Sequence, residues 1–452
     1  MWIKRFAAAG LLASAASAVK IDIDDPKSIQ NAALTTTFTL MSNYTSNHTG
    51  EIPGIVNDSW WESAVLYRTL IQYWSLTGDA SNNPAVTQGM YWQRGDNDYM
   101  PSNISEYIGN DDQASWALAA MTAAESKFPE ETKLASWITL AQNVFDIQAA
   151  RWDTKNCGGG LRWQIWTFQA GYGIKNAISN GDLFELSARL ARYTGNKTYV
   201  EWAEKVWDWT LSTQLMNNKT WTIADSMSVE DRCATLEHTQ WSHNYAVYLS
   251  GAAYMYNLTN GDTKWKTGID GLLNTTLNTF FPKKYGGEIM SEVTCEPTHS
   301  CNYTQHLFKG ILASTLGAMT NIAPYTSADI LPKLKGSAEA AAKSCSGGND
   351  NNLCGERWYE SEWDGIFGME VQMSAASLFI SNLFNSTAKA PVTSSTNGSS
   401  TNSTSGTSDS QPSATGGSNS GTSTDTPNGS SHVSALSGLA IMGVLAGVLA
   451  AI

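Results

Sequence analysis

Apolar residues recur at helical spacing through most of the first 387 residues, whereas the alternating Val, Ile and Thr pattern of strands is scarce. The spacing predicts helices over residues 29–42, 61–74, 112–126, 132–151, 175–193, 198–213, 244–257, 263–280, 308–321, 328–343 and 368–384. Two of these helices end at the Gly-containing turns 194–196 and 260–262. Gly is common there because it adopts the left-handed conformation that closes a helix.

The predicted helices alternate between two compositions. Helices rich in small residues, such as 116–124, are followed by more amphipathic ones, and together they form about six pairs. A helix with small residues on every side is suited to burial among other helices. We therefore predict an all-α toroid of inner and outer helices, with a groove built by the loops at one end. Residues 19–387 contain no Pro/Gly/Ser-rich linker, which predicts a single domain.

Both ends of the chain differ from this central part. Residues 1–18 combine the basic Lys4 and Arg5 with an apolar stretch and a small-residue cleavage site, which is typical of a secretory signal peptide. Residues 388–434 are almost entirely Ser, Thr, Gly, Asn and Pro, as in an O-glycosylated stalk. The apolar run 435–452 ends the chain with no basic residue behind it, which favours a glycolipid (GPI) anchor signal over a spanning helix.

We place the anchor attachment at Asn428, with Asn419 as the alternative. Residues 388–428 are then the glycosylated stalk, and residues 429–452 are a signal removed on maturation. A single-pass tail anchor is the other interpretation of the same segment. The expected product is secreted and held on the outer leaflet of the plasma membrane.

Cysteine content agrees with an oxidising compartment. The spacings 295–301 and 345–354 favour two local disulfide loops and leave Cys157 with Cys233, although six cysteines allow fifteen pairings. None of the cysteines has zinc-site spacing, His238 and His243 are not spaced as in a zinc-protease helix, and no serine-hydrolase elbow is present. The sequence therefore predicts neither a metal nor a cofactor.

The overall charge narrows the range of ligands. With 28 basic and 41 acidic residues the formal charge is −13, which argues against nucleic acid because phosphate binding relies on Lys and Arg. Eighteen tryptophans and seventeen tyrosines offer flat faces that stack on sugar rings, although most of them can equally fill a large core.

The most informative stretch is the adjacent pair Asp111 and Asp112, which follows a Gly-Asn turn and precedes the apolar segment 116–124. One Asp at a helix start is explained by capping of free amide groups. Two adjacent carboxyls repel each other, so one is expected to hold a proton while the other stays ionised. Glycoside cleavage needs this division of roles, although a doubled helix cap remains the alternative.

Other polar residues near aromatic or glycine-rich segments are candidates for the groove. Asp96 and Asp98 lie in an aromatic-flanked loop, and 157–164 combines three glycines with polar side chains. The predicted substrate-binding residues are Glu62, Asp96, Asp98, Asn110, Gln113, Trp116, Arg162, Trp163, Gln164, Lys175, Asn176 and Asn180. We assign the last three to one polar stripe on the predicted helix 175–193. Alternative acids that could replace one member of the pair are Glu360, Glu362 and Asp364.

In the segments 109–113, 158–164 and 175–176, and again at 251–257, the chain resembles glycoside hydrolase family 76. It is most similar to the fungal GPI-anchored cell-wall members, which are mannan endo-1,6-α-mannosidases, over about residues 20–385. The resemblance implies an (α/α)6 barrel and a retaining mechanism with Asp111 as nucleophile and Asp112 as general acid/base. Residues 61–65 read Trp-Glu-Ser-Ala-Val where the family commonly reads Trp-Glu-Ala-Gly-Ala, so we expect a change in groove width near Glu62.

Three functions remain in view. The leading one is hydrolysis of internal α-1,6-mannosidic linkages during fungal cell-wall biogenesis, with α-1,6-mannan or the mannose chains of GPI glycans as substrate. The second is transfer of such a glycan to cell-wall β-glucan through the same covalent intermediate, because a hydroxyl group can replace water as acceptor. The third, of another class, is a non-catalytic cell-wall glycan-binding protein.

Overall fold

Helices make up most of the computed structural model, which describes residues 19–56, 59–384 and 390–394. The twelve α-helices in these residues are α1 Pro26–Ser42, α2 Trp60–Thr77, α3 Asn83–Trp92, α4 Asn110–Ser126, α5 Trp137–Ala150, α6 Ala177–Thr194, α7 Lys197–Ser212, α8 Ser242–Leu258, α9 Thr263–Phe280, α10 Phe308–Ile322, α11 Ser327–Ser344 and α12 Met369–Ser381. The strands are β1 Ile174–Asn176, β2 Ser226–Ser228 and β3 Leu236–Glu237. The predicted signal peptide, the stalk beyond residue 394 and the anchor signal with Asn428 lie outside the described residues.

The even-numbered helices form a closed inner ring. Helices α2, α4, α6, α8, α10 and α12 each pack against the next, and α12 packs against α2 to complete the circle. The odd-numbered helices lie outside this ring, each against one or two of its members. The predicted all-α toroid is therefore confirmed as an (α/α)6 barrel.

Small residues allow the inner helices to approach closely. A Cβ on Gly181 of α6 would lie 2.4 Å from Val247 Cγ2 of α8, and a Cβ on Gly251 of α8 would lie 2.4 Å from Phe184 Cε1 of α6. Both positions therefore exclude any larger side chain unless the helices move apart. The small-residue composition identified in the sequence thus reflects the burial of the inner ring.

The predicted secondary structure needs two corrections. The helix α3 was not predicted, although Pro84 occupies its first turn, where a fixed φ and a missing N–H are tolerated. Lys175 and Asn176 were predicted to be helical but lie on β1, and α6 begins only at Ala177 with Asn176 as its N-cap. The reason is tertiary: β1 pairs antiparallel with β2, a segment about fifty residues further along the chain.

A buried ion network joins the ends of α4 and α6 opposite their N-termini. Arg189 lies 2.8 Å from Glu125 and 3.0 Å from Glu185, and Glu185 also lies 3.1 Å from Arg68. The segment 390–394 lies against this end, because Val392 N–H donates to Glu125 O at 3.1 Å. Two cations and two carboxylates thus balance each other in the interior.

All six cysteines are paired as predicted: Cys157–Cys233, Cys295–Cys301 and Cys345–Cys354. The first of these ties the glycine-containing loop before β1 to the turn after β2. Across the described ranges, no helix combines the length and the apolarity needed to cross a membrane.

Candidate active site

A cavity of about 450 Å³ opens at the end of the barrel where the inner helices begin. Because each inner helix presents its N-terminus here, free N–H groups and the positive ends of the helix dipoles surround the cavity and favour negative charge. Side chains from the first turns of these helices line it, including Trp61, Asp111, Asp112, His243 and Phe308. The groove predicted from the sequence is therefore present, and the Asp pair lies in it.

Gly109 allows the two carboxyls to lie side by side. Asp112 Oδ2 accepts the Gly109 N–H at 2.6 Å, which is half of a capping box, and Asp111 Oδ1 accepts the Asp112 N–H at 3.0 Å. A Cβ on Gly109 would lie 2.4 Å from Asp111 Oδ1 and 3.3 Å from Asp112 Oδ2. Both oxygens are thus close to one point, which fits the short separation of a retaining pair (about 5–5.5 Å) better than the longer one of an inverting pair (about 6.5–9.5 Å).

The short sheet brings a third polar group to the pair. Asn176, the last residue of β1, directs Nδ2 to Asp111 Oδ2 at 3.4 Å while its Oδ1 caps α6. The neighbouring segment is fixed as well, because Asn110 N–H donates to Trp163 O at 2.9 Å. Trp163 and Asn176, two of the predicted substrate-binding residues, both line the cavity.

Burial controls the ionisation of the pair. It raises the pKa of Asp111 well above its usual range, and the adjacent Asp112 charge raises it further. Burial also raises the pKa of Asp112, although the hydrogen bond from Gly109 opposes this shift. The pair therefore holds one proton over a pH range in which exposed carboxyls are ionised, so an acid and a carboxylate coexist.

Several aromatic rings form part of the cavity walls. Trp61, Trp163, Trp241 and Phe308 line it, and His243 stacks on Phe308 with 3.7 Å between ring centroids. Burial lowers the pKa of His243 to about 3, so this imidazole is neutral and behaves as one more flat ring. Such walls suit the apolar faces of sugar rings.

Two cavity acids, Asp182 and Asp225, were missed in the sequence. Asp225 precedes β2, accepts a hydrogen bond from Asn244 at 3.1 Å, and has a pKa raised by burial. The only sequence signal for Asp182 was an acid within a small-residue inner helix, where a polar side chain is unexpected unless it has a partner or a function.

Ten of the predicted ligands do not line the cavity: Glu62, Asp96, Asp98, Asn110, Gln113, Trp116, Arg162, Gln164, Lys175 and Asn180. Asp96 is exposed, and Asp98 accepts a hydrogen bond within its own loop from Met100 N–H at 3.0 Å. Trp116 is fully buried, where its ring packs 5.1 Å from that of Trp60. The alternative acids Glu360, Glu362 and Asp364 also lie away from the cavity.

Several of these residues support the catalytic segment from behind. Arg151, which the sequence interpretation overlooked, donates to Asn110 Oδ1 at 2.9 Å and to Gln113 Oε1 at 2.7 Å. Gln164 forms a backbone bridge with Gly109. The start of α4 is thus held by hydrogen bonds on the side away from the cavity.

The glycine-containing loop and β1 are tied together in the same way. Lys175 is fully buried and donates to the carbonyl oxygens of Asp153, Asn156 and Gly159. Arg162 pairs with Asp153 at 2.9 Å. The Asn180 side chain accepts a hydrogen bond from the Leu161 N–H and donates one to the Leu161 carbonyl oxygen. Gly160, at φ 96°, lies against Trp209, so the glycine run accommodates a protein ring. We correct the assignment of these side chains from ligands to supports.

Glu62 lies behind the cavity wall, fully buried, with Thr304 Oγ1 3.4 Å from its Oε1. Burial, together with the neighbouring Glu370 charge, raises its pKa to about 8 from an ordinary value of 4.5. Between these two pH values the folded protein keeps a proton on Glu62 that the unfolded chain has lost. The contribution of Glu62 to the free energy of unfolding therefore declines as pH rises from about 4.5 to about 8. The difference from the common family sequence at residues 61–65 does reach the cavity, because Val65 lines it.

We expect Glu62→Gln to remove part of this pH dependence, because Gln keeps the neutral form at every pH. The urea midpoint of the variant minus that of the parent should increase as pH rises from 5 to 8. Glu201→Gln, at an exposed position of α7, is the matched control and should follow the parent. Parallel curves for the parent and Glu62→Gln would contradict the expectation.

Side-by-side carboxyls that share one proton suit the cleavage of glycosidic bonds, so the fold and the site together define a glycoside hydrolase. The family model of glycosyl hydrolase family 76 matches residues 28–395. The chain belongs to this family.

The chain is also similar to individual members. The mannan endo-1,6-alpha-mannosidase DCW1 of Saccharomyces cerevisiae is 43% identical over 390 residues, covering 85% of each chain. The crystal structure of Dfg5 from Chaetomium thermophilum in complex with glucosamine has a TM-score of 0.79 at 40% identity, covering 83% of this chain and 94% of that one. The α-1,6-mannanase GH76A of Salegentibacter has a TM-score of 0.64 at 17% identity, covering 78% and 98%, and supports the fold.

Proposed function

We propose that this protein is a mannan endo-1,6-α-mannosidase that hydrolyses internal α-1,6-mannosidic linkages with retention of configuration. The observation that carries the proposal is the placement of Asp111 and Asp112 side by side in a cavity lined in part by aromatic rings. Family membership and the mannan endo-1,6-alpha-mannosidase relative at 43% identity support the choice of linkage.

In the first step Asp111 acts as nucleophile and Asp112 as acid. Burial and the Asp112 charge raise the pKa of Asp111 more than that of Asp112, so this step requires the shared proton to move to Asp112 in the reacting complex. Asp111 attacks the anomeric carbon, while Asp112 donates its proton to the departing glycosidic oxygen, so that a glycosyl ester forms as the glycosidic bond breaks. The Asp111 carboxylate accepts hydrogen bonds from the Asp112 N–H and from Asn176, which keep it oriented for attack.

In the second step Asp112, now ionised, removes a proton from water. The resulting hydroxide attacks the same carbon, the ester bond to Asp111 breaks, and the product keeps the α configuration. Two inversions explain the retention. The same residue acts as acid and then as base, which is why the pair needs only one proton.

We propose transfer of the glycan to β-glucan as a second outcome of the same intermediate. The supporting observation is three exposed aromatic rings, Tyr107, Trp166 and Phe168, on the two segments that the backbone bridge between Gly109 and Gln164 joins. Trp166 Nε1 donates to Ser105 O at 2.8 Å and joins these segments. Exposed rings beside a cleavage site suit a second glycan that would accept the bound sugar.

Product analysis separates the two outcomes. Incubation with α-1,6-mannooligosaccharides alone should give shorter mannooligosaccharides by mass spectrometry. With a β-glucan oligosaccharide added, products that contain both mannose and glucose would support transfer. If only shortened mannooligosaccharides form at every acceptor concentration, the transfer proposal is wrong and hydrolysis stands.

We also propose that the protein is secreted and held on the outer leaflet of the plasma membrane and in the cell wall. The support comes from the sequence: the signal-peptide pattern of residues 1–18, the Ser/Thr-rich stalk and the terminal apolar run. Phospholipase release of the protein from intact cells would test the GPI anchor, and Asn428→Gln would test the attachment residue.

A further inference from the structure

The catalytic cavity extends well below the Asp pair. On α4 it is lined by Ser115 and Leu118, four and seven residues beyond Asp111, which corresponds to a depth of about 10 Å at 1.5 Å per residue. Asp182, six residues beyond Asn176 on α6, lines the same lower part, as does Arg68 of α2. We call this lower part the cavity floor, defined by Arg68, Thr69, Ser115, Asp182, Ser314 and Ser377.

Two polar atoms of the floor residues have no protein partner. Asp182 is 3% exposed, and neither its Oδ2 nor Arg68 Nε has a hydrogen-bond partner within the described part of the chain. The hydroxyl groups of the floor are already engaged: Ser115 bonds to Asp111 O, Thr69 to Ser377, and Ser314 to Gln72. A buried polar atom without a partner costs about 1–3 kcal/mol, so the carboxyl of Asp182, which lines the cavity, has hydrogen-bonding capacity that the described residues do not fill.

The charge balance shows which form Asp182 takes. Arg68 and Arg189 are matched by Glu185 and Glu125 in the buried ion network, which leaves Asp182 without a cation of its own. Burial, followed by the charges of Glu185 and Asp111, raises the pKa of Asp182 well above its usual range. A neutral carboxylic acid is the result, and it offers one donor and one acceptor.

We propose that Asp182 is a substrate-binding residue, whose carboxyl at the cavity floor hydrogen-bonds a hydroxyl group of the bound sugar. A sugar hydroxyl both donates and accepts, so it matches a carboxyl that offers one donor and one acceptor. The inference rests on the proposed function, because it concerns the sugar that enters the catalytic cavity. It adds a selecting contact far from the reacting bond.

The test measures sugar binding by calorimetry in a background that carries Asp111→Asn and Asp112→Asn, which prevents turnover. The probes are α-1,6-mannotriose, mannose, glucose and glucosamine. Asp182→Leu should weaken binding of the sugar that the background protein binds best by at least tenfold, because the hydroxyl loses its partner in a buried site. Asp182→Asn, which still offers a donor and an acceptor, should recover most of that loss.

Ser187→Ala on the same helix is the matched control, because Ser187 Oγ bonds within α6, to Leu183 O at 2.6 Å. A crystal structure of the background protein with its sugar should place a hydroxyl group within hydrogen-bond distance of the Asp182 carboxyl.

The outcomes distinguish the two claims. If the background protein binds a hexose but not α-1,6-mannotriose, the proposed linkage is wrong, while Asp182→Leu still tests the floor contact with that hexose. If Asp182→Leu binds as tightly as the background, or if the sugar sits above a floor that holds only water, the Asp182 inference is overturned and the proposed function stands. A background protein that binds none of the four probes contradicts both.

Discussion

Replacing Asp111 or Asp112 by Asn should lower the rate of α-1,6-mannooligosaccharide cleavage by at least about 10³-fold. Asn has nearly the same shape but neither forms a glycosyl ester nor donates and recovers a proton. Because the two acids act in one sequence of steps, the double variant should lose little more than either single variant. Initial rates of product formation measure the loss of cleavage, and calorimetry measures the sugar affinity of the same variants.

The two variants should differ with activated substrates. An aryl mannoside with a good leaving group needs little acid assistance, so Asp112→Asn should retain more of its rate on that substrate than Asp111→Asn does. Asp146→Asn, at an exposed position of α5, should behave like the parent. Near-normal turnover in either active-site variant would refute the paired mechanism, and binding without turnover in the parent would favour a glycan-binding protein.

Arg189→Met should lower the free energy of unfolding by about 3–5 kcal/mol, because it removes one member of a buried ion network. Arg189 lies between Glu125 and Glu185, and it also donates to Thr122 at 2.8 Å. Methionine fills the space but leaves two buried carboxylates without their shared cation. The urea midpoint and Tm measure the loss.

Lys264→Met is the control for the loss of one ion pair. Lys264 and Asp208 are 2.9 Å apart, but the two side chains are 38% and 63% exposed, so solvent screens the pair and its loss should change stability by less than about 1 kcal/mol. Equal effects of the two variants would show that the buried network does not stabilise the barrel in the way its geometry indicates.

Much of the fold could be predicted because local and global signals agree. The inner helices are rich in small residues, they are fully enclosed, and the contacts of Gly181 and Gly251 show why. The predictions failed where a distant segment decides the local structure. Pairing with β2 places Lys175 and Asn176 on a strand, although their apolar neighbours suggested a helix.

The predictions of site residues succeeded and failed for the same reasons. The Asp pair was recognisable because two adjacent acids at a helix start exceed the needs of capping. Lys175, Asn180 and Arg162 carry functional-looking side chains, but each has its hydrogen bonds filled by nearby backbone or by Asp153. Asp182 and Asp225, conversely, gave almost no sequence signal, since only the closed ring of helices brings them to the cavity.

The most direct test of the central claim is the configuration of the first sugar released. Purified protein acts on an α-1,6-mannooligosaccharide while ¹H NMR follows the anomeric protons before mutarotation brings the two anomers to equilibrium. The side-by-side carboxyls and the two-step mechanism predict that the α anomer appears first. Initial release of the β anomer would contradict the retaining pair, and the absence of any cleavage would contradict the proposed activity itself.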